Sequence, residues 1–250
     1  MSGHRLVGIA YSPWSIKARW ALDHHAVPYR WTGYVPMIGE PLLRARTRCW
    51  RGRVSVPVLF SADGRVVHGS WDIARFAETA GGGRPLFVAG REDAIARWNA
   101  RSEVMLDAGR ALSLARMLRS PRALAENVPK GAVLGRIAAP LGALAVRYVA
   151  RKYAGTNDQA GYLDELRTGL DALRAALAGG DHLLGTFSYA DIAMAVTLAF
   201  VSPLGPGRDR LAGEATRECW TNAELAREYA DLVAWRDRIV AAFAPSVRPV

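Results

Sequence analysis

Cysteine is scarce in this 250-residue sequence: Cys49 and Cys219 are the two, far apart and with no CxxC. That excludes a disulfide framework and a cysteine-based zinc site. Lysine is nearly absent, with Lys17, Lys130 and Lys152 set against 30 arginines. Beside so much alanine and glycine, the skew matches GC-rich codon usage as well as it matches selection for a polyanionic partner. Long hydrophobic runs are missing too. The most apolar stretch, residues 131–150, is interrupted by Arg136, Pro140 and Arg147, whereas a spanning helix needs about 20 mostly apolar residues without central charges. The opening MSGHRLVGIAYSPW carries neither the apolar run nor the small-residue cleavage site of a secretory signal. The expectation is a cytoplasmic protein of a reducing compartment with no membrane partner.

Metal and nucleotide chemistry are equally unsupported. His4, His24, His25, His68 and His182 show no ligand spacing, and adjacent His24 and His25 point in different directions on a helix. No metal is expected. His68-Gly-Ser-Trp-Asp72 is not a G-x-S-x-G elbow, and no P-loop or G-x-G-x-x-G follows a strand. Nucleic acid has only the net charge of +10 in its favour, with no interleaved aromatic motif, so no nucleic-acid partner is expected.

What is present is a folded composition, half hydrophobic and 22% charged. Charge is uneven: residues 1–83 carry 11 basic against 5 acidic side chains, 84–153 carry 13 against 5, and 154–250 carry 9 against 13. The positive field favours anionic ligands without identifying one. The pattern predicts strands at 5–10, 29–34, 55–60 and 65–68, the last two joined by a tight turn at Asp63-Gly64. Helices are predicted over 14–26, through 40–49 and from Ser70 onward. This small α/β layer, residues 1–80, ends in Gly81-Gly82-Gly83 and Pro85, a linker spanning 81–90. Residues 91–250 read as all helix, with segments at 91–118, 131–153, 159–178, 189–201 and 222–243, and a turn-rich connector over 202–219. Ser188 and Asp191 form an S-x-x-D variant of the capping box, with Phe187 and Ile192 placed for a hydrophobic staple.

A strand followed by 12-SPWSIKARWAL-22, then 56-VPVL-59 and 69-GSWDIARFAE-78, resembles the glutathione transferase superfamily, in which a thioredoxin-like α/β domain precedes a helical-bundle domain. The second half agrees, since 188-SYADIAMA-195 is similar to the superfamily's buried N-capping box and 232-LVAWRDRI-239 to its last long helix. The resemblance covers nearly the whole chain. It implies an enzyme that uses glutathione for conjugation, isomerisation or elimination on a small hydrophobic electrophile, and that works as a homodimer; the alternative is a protein of the same fold that binds a ligand, or serves a pathway, without glutathione.

Thiol chemistry requires a thiolate. Lowering a free thiol's pKa of about 8.5 by about two units takes roughly 2.7 kcal/mol of preferential stabilisation. A hydroxyl at a helix start supplies part of it, and the helix N-terminus adds about 0.3–1 kcal/mol. Ser12, just before Pro13, stands where the resemblance places the activating serine. Its local sequence reads equally well as a plain helix cap. Tyr11 and Ser15 compete for the role, Tyr11 on the other face of the strand end and Ser15 one turn inside the helix as a second polar contact. Ser in place of Cys at 12 disfavours disulfide exchange.

The resemblance makes Val56-Pro57 a cis-proline element whose Val56 backbone holds the cysteinyl segment of glutathione; read alone, it is an ordinary trans proline at an edge strand. Gly69 and Ser70 stand at the γ-glutamyl position, where relatives carry an acidic or amide residue before the hydroxyl. Ser70 and the helix N-terminus still suit a carboxylate, but Gly69 brings no side chain for the ammonium, a loss of about 1.5–3 kcal/mol. Asp72 and His68 are substitutes. For the electrophile, Trp14, Tyr34, Arg101 and Met105 are pocket candidates, although Trp98, Arg101 and Met105 share a helix face that equally suits packing. Arg44, Arg46, Arg48, Arg51 and Arg53 form a basic segment suited to the glycyl carboxylate or to solvent.

Overall fold

A computed structural model describes residues 3–128, 138–155, 158–178, 180–205 and 210–244. The chain opens β1 (His4–Gly8), α1 (Pro13–His24), β2 (Tyr29–Gly33), α2 (Glu40–Thr47), β3 (Val58–Phe60), β4 (Val66–His68) and α3 (Gly69–Ala80). The four strands form one sheet in the order β2-β1-β3-β4. β1 pairs parallel with β2, from His4 opposite Tyr29 to Gly8 opposite Gly33. It pairs antiparallel with β3, which pairs antiparallel with β4. The parallel pair follows from the α1 crossover, and the antiparallel pair from the short Asp63-Gly64 turn.

Apolar positions explain each element. β1 buries Leu6 and Val7; α1 buries Ala18, Trp20, Ala21 and Leu22; α3 buries Ile73, Ala74, Phe76 and Ala77. α1 and α3 pack together. Among the described residues, every element after residue 90 is helical: α4 (Glu92–Met117), α5 (Pro121–Glu126), α6 (Ala138–Lys152), α7 (Gln159–Leu177), α8 (Tyr189–Thr197) with a 3₁₀ turn at Leu198–Phe200, α9 (Glu214–Trp220), α10 (Ala223–Glu228) and α11 (Ala230–Phe243).

Contacts divide the chain into two compact units. The first gathers Met1–Ala100, Ala176–Val196 and Trp235–Val250. Its remote segments are tied by specific bonds: Trp20 Nε1 donates to the Phe243 carbonyl at 3.0 Å, and Trp235 Nε1 to that of Asp181 at 2.9 Å. Phe187 stacks on Phe243 with ring centres 4.0 Å apart. Glu78 at the end of α3 accepts the Leu86 N–H at 2.9 Å and faces the buried His25 ring at 3.1 Å, while His25 Nδ1 lies 2.8 Å from the Gly82 carbonyl. The glycine-rich segment is therefore fastened, not loose. α8 opens as expected, with one variation: the Ser188 hydroxyl donates to Asp191 instead of accepting from its backbone.

The second unit is Arg101–Ala175 with Thr197–Ala234. Met117, Ala123, Leu124, Val146, Ala215 and Cys219 form a buried cluster within it. Three features differ from the sequence reading. α5 was not expected, although Ser120 accepts the Ala123 N–H at 3.2 Å and Pro121 occupies its first turn. α9 lies inside and just past the segment expected to be a connector, and its start is capped from outside: Glu126 accepts the N–H groups of Ala215 and Thr216 at 3.1 and 2.8 Å. Burial pushes the Glu126 carboxyl up, but the hydrogen bonds from Thr216 and Ala215 outweigh it and leave its pKa below the ordinary value. The helix expected over 222–243 breaks at Tyr229, whose hydroxyl donates to Asp171 at 2.8 Å beneath the Arg174 guanidinium. Burial and the Asp171 carboxylate push that phenol up to about 12. Residues 131–137 of the helix expected over 131–153 lie outside the described residues.

α6 crosses α5 at Gly142, where an added Cβ would fall on the Leu124 carbonyl oxygen. Gly142→Ala is expected to destabilise by about 1–3 kcal/mol, because backbone cannot yield as a side chain does. The clash outweighs the roughly 1 kcal/mol that alanine gains in helix propensity. Thermal unfolding checks it, at about 2–4 °C per kcal/mol for a chain this size.

Candidate functional site

The sheet brings four junctions to one end. β1, β2 and β4 finish there and antiparallel β3 begins there, so the β1–α1 loop, the residue after β2, the approach to β3 and the start of α3 lie together. The Tyr34 N–H donates to the Gly8 carbonyl at 2.7 Å, and the Gly69 N–H donates to the Pro57 carbonyl at 3.0 Å, extending the ladders past the strands.

Ser12 is the N-cap of α1 with an extended backbone, and its hydroxyl makes no capping bond. Its N–H donates to the Ile9 carbonyl at 3.0 Å and its own carbonyl accepts from Ile16 at 2.9 Å. The residue is half-buried, so the backbone is held while the hydroxyl is not spent on the helix. Pro13 in the first turn has no N–H to satisfy. The remaining first-turn amides lack intrahelical partners and carry the positive end of the dipole.

Ser15 is different. It is fully buried, and its Oγ accepts the Ile9 N–H at 3.1 Å, closing the loop that carries Ser12. Its place is beneath the site, not on its surface. Tyr11 is half-buried, and burial pushes its phenol above the ordinary value, so it remains a neutral donor. Trp14 is half-buried at the start of α1. Tyr34 packs its ring on the cluster of Val7, Leu43, Val54 and Val58.

The Val56–Pro57 peptide bond is cis. Val56 is half-buried and Pro57 buried, with the Pro57 carbonyl engaged by Gly69. Gly69 has φ of +76°, and no heavy atom lies within 4 Å of where its Cβ would be. A glycine here answers a backbone requirement and leaves open space where a side chain would stand. Ser70 is buried in the first turn of α3, while Asp72 and His68 are exposed beside it.

Arg101 and Met105 belong to the second unit. Arg101 is exposed there, and Met105 is 1% exposed, with its side chain where a Cβ on Gly169 would fall. Met105 is thus core packing of its own unit. Of the arginine segment, Arg44 is committed to Glu40 at 2.7 Å and to the carbonyls of Cys49 and Gly52. Arg46, Arg48, Arg51 and Arg53 are exposed.

Lys17, which is buried, and Glu78, which is half-buried, escaped the sequence reading. Lys17 on α1 is fully buried, with Nζ 3.4 Å from Asn99 Oδ1 on α4, and Glu78 fastens the segment after α3. Lys17 had no local signal, since a lysine among apolar helix positions ordinarily marks the solvent face. Among the described residues there is no group of three or more His, Cys, Asp or Glu placed to hold a metal, and no helix long and apolar enough to cross a membrane.

Comparisons with known proteins agree with this architecture. The family model "Glutathione S-transferase, N-terminal domain" matches residues 11–80, and "Glutathione S-transferase, C-terminal domain" matches residues 132–238. No curated protein matches the chain. A glutathione S-transferase of Methylobacterium radiotolerans, solved with glutathione sulfonate, is 18% identical, with 100% of this chain and 98% of that one covered and a TM-score of 0.62. A glutathione transferase family member from Pseudomonas fluorescens, solved with bound glutathione, is 16% identical over 98% and 100% of the two chains, with a TM-score of 0.61. A glutathione S-transferase of Ceriporiopsis subvermispora, solved with glutathione, is 19% identical over 98% and 100%, with a TM-score of 0.58. At these identities the structures speak for the fold: a thioredoxin-like α/β part with a four-stranded sheet, followed by a helical part. With both of its family models matched in order along one chain, this protein belongs to the glutathione S-transferase family.

Proposed function

We propose that the protein is a glutathione-dependent transferase in which the Ser12 hydroxyl stabilises the thiolate of glutathione for attack on a small hydrophobic electrophile, by conjugation, isomerisation or elimination. The observation that carries this reading is a half-buried hydroxyl at the N-terminus of α1 that does not cap its own helix. An O–H donated to an ionised sulfur is worth about 1.5–3 kcal/mol. With about 0.3–1 kcal/mol from the helix terminus, this reaches the roughly 2.7 kcal/mol that two pKa units require. The Val56 backbone, next to cis Pro57, receives the cysteinyl segment, and Ser70 with the first amides of α3 receives the γ-glutamyl carboxylate. That proteins of the same fold were solved with glutathione or glutathione sulfonate supports the choice of thiol. Calorimetric titration with glutathione tests it, and absence of binding at millimolar concentration would refute the cofactor assignment.

Gly69 favours a second reading, in which the cleft has been turned to a ligand other than glutathione. The two separate on Gly69→Glu. Open space at the Cβ position means no clash, while φ of +76° imposes a backbone cost of about 1–2 kcal/mol. If the cleft accepts glutathione, the new carboxylate should hold its ammonium and tighten binding about tenfold despite a lower melting temperature. A variant that folds and binds no better supports the second reading.

A further inference from the structure

The turn that carries Ser12 is held from below by a side chain. The ladder between β1 and β2 ends at Gly8 opposite Gly33, and the Gly8 carbonyl takes the Tyr34 N–H at 2.7 Å. One residue on, the Ile9 N–H finds its acceptor in the Ser15 Oγ at 3.1 Å. The Ile9 carbonyl accepts the Ser12 N–H at 3.0 Å and closes a four-residue turn from Ile9 to Ser12. Ile9 is thus bonded to Ser15 through its N–H and to Ser12 through its carbonyl.

Packing leaves this arrangement little freedom. Ser15 is 0% exposed, so its hydroxyl cannot meet a ligand without displacing protein. A Cβ on Gly8 would lie 2.7 Å from the Ser15 Oγ and 2.8 Å from the tip of the Trp31 ring, so the space between β1 and the first turn of α1 is filled to contact. Ser12 itself has φ of −69° and ψ of 126° and makes no cap bond, so its helix does not hold the hydroxyl. The direction of that hydroxyl follows from the backbone beneath it, and a group that serves chemistry has to be held to within about 0.5 Å.

We propose that Ser15 is a positioning residue for Ser12: by accepting the Ile9 N–H it fixes the turn whose last residue presents its hydroxyl to the thiolate. This role rests on Ser12 being the thiolate's donor, as proposed above, and adds the residue that sets its place. It also replaces the sequence expectation of Ser15 as a second polar contact, because the Ser15 oxygen is engaged with the backbone and closed off from the surface. Gly8 belongs to the same device, since any side chain there would push the Ser15 oxygen from the Ile9 amide.

The test uses the full chain with saturating glutathione and reads ionisation of the bound thiol, from its ultraviolet thiolate absorbance against pH, beside thermal unfolding. Ser12→Ala should raise the apparent pKa of the bound thiol by about one to two units. Ser15→Ala should raise it by about 0.5–1 unit and lower the melting temperature by about 2–12 °C, because the Ile9 N–H loses its acceptor. Ser15→Thr keeps the oxygen and should stay close to wild type. Gly8→Ala should shift the thiol in the same direction as Ser15→Ala, and it reaches the turn with Ser15 still in the chain should Ser15→Ala fail to fold. In Ser12→Ala/Ser15→Ala the thiol should sit where Ser12→Ala alone leaves it, since the second change acts only through the first residue. A Ser15→Ala protein that melts lower with unchanged thiol ionisation would overturn the proposal and leave Ser15 a structural hydroxyl. Shifts that add in the double variant would overturn it too, by giving Ser15 its own contact with the sulfur. A thiol unmoved by Ser12→Ala would bring down the reading of Ser12 and this one with it, whereas a shift for Ser12→Ala with none for Ser15→Ala would bring down this one alone.

Discussion

Asp191→Ala is expected to cost about 3–5 kcal/mol of stability, a large share of the roughly 5–15 kcal/mol a domain commonly possesses. Asp191 is fully buried at the start of α8 and accepts three hydrogen bonds at 2.9 Å, from the N–H of Leu183, the N–H of Ser188 and the Ser188 hydroxyl. Alanine would leave all three donors without an acceptor in a place water does not reach, at about 1–3 kcal/mol each. Part of that is returned because a buried carboxylate no longer has to be desolvated. Chemical denaturation of wild type and variant measures the difference, and a loss under about 1 kcal/mol would mean that the cap is dispensable.

The same residue has a signature in pH. Burial pushes the Asp191 carboxyl above the ordinary aspartate value; its hydrogen bonds from Leu183 and Ser188, and the nearby His182, work the other way without prevailing. The folded state therefore holds this proton more tightly than the unfolded chain does. Stability from this group is fully present below the unfolded value and is lost as pH rises through the folded one. Asp191→Asn should remove that slope while retaining one acceptor, so its stability profile should be flatter than wild type in the weakly acidic range.

Ser12→Ala should act on chemistry and leave the fold alone. The hydroxyl makes no cap bond, so unfolding should change by less than about 0.5 kcal/mol. Removing a charge-assisted donor from the thiolate should lower kcat/KM for glutathione-dependent turnover about 10- to 100-fold. The pH profile of kcat/KM should also move upward by about one to two units as the bound thiol loses its stabilisation. A helix cap would give the reverse result, with stability lost and turnover intact. Normal turnover in the alanine variant would transfer the role to Tyr11, whose neutral phenol remains a donor.

Much of this could be read from residues a few positions apart. Strand and helix periodicity placed β1 to β4 and α1 to α3 to within a few residues, and Ser188 with Asp191 marked the start of α8. These signals are local because a cap or an amphipathic face is built from neighbours in the chain. The misses have their own physical reasons. Ser120-Pro121 is a legible start for α5, but the helix has 6 residues, too few for apolar periodicity to register. α9 had no local cap to find, since Gly213 at its start has no side chain and the acceptor is Glu126, 89 residues earlier in the chain. The break between α10 and α11 depends on Tyr229 reaching Asp171 on α7, which no helical periodicity records.

Local spacing therefore laid out the elements of the first eighty residues, and short motifs carried the family resemblance. Folding decided which of those groups are engaged within the protein. Ser12 and Ser15 are the same residue type one helical turn apart, yet Ser15 is consumed by the Ile9 amide and Ser12 is not. Met105 has the character of a pocket residue and lies in the core against Gly169. Gly69 is where it is because a left-handed turn joins β4 to α3. Burial and hydrogen-bond partnership are set by atoms distant in sequence, and only the packed chain brings them together.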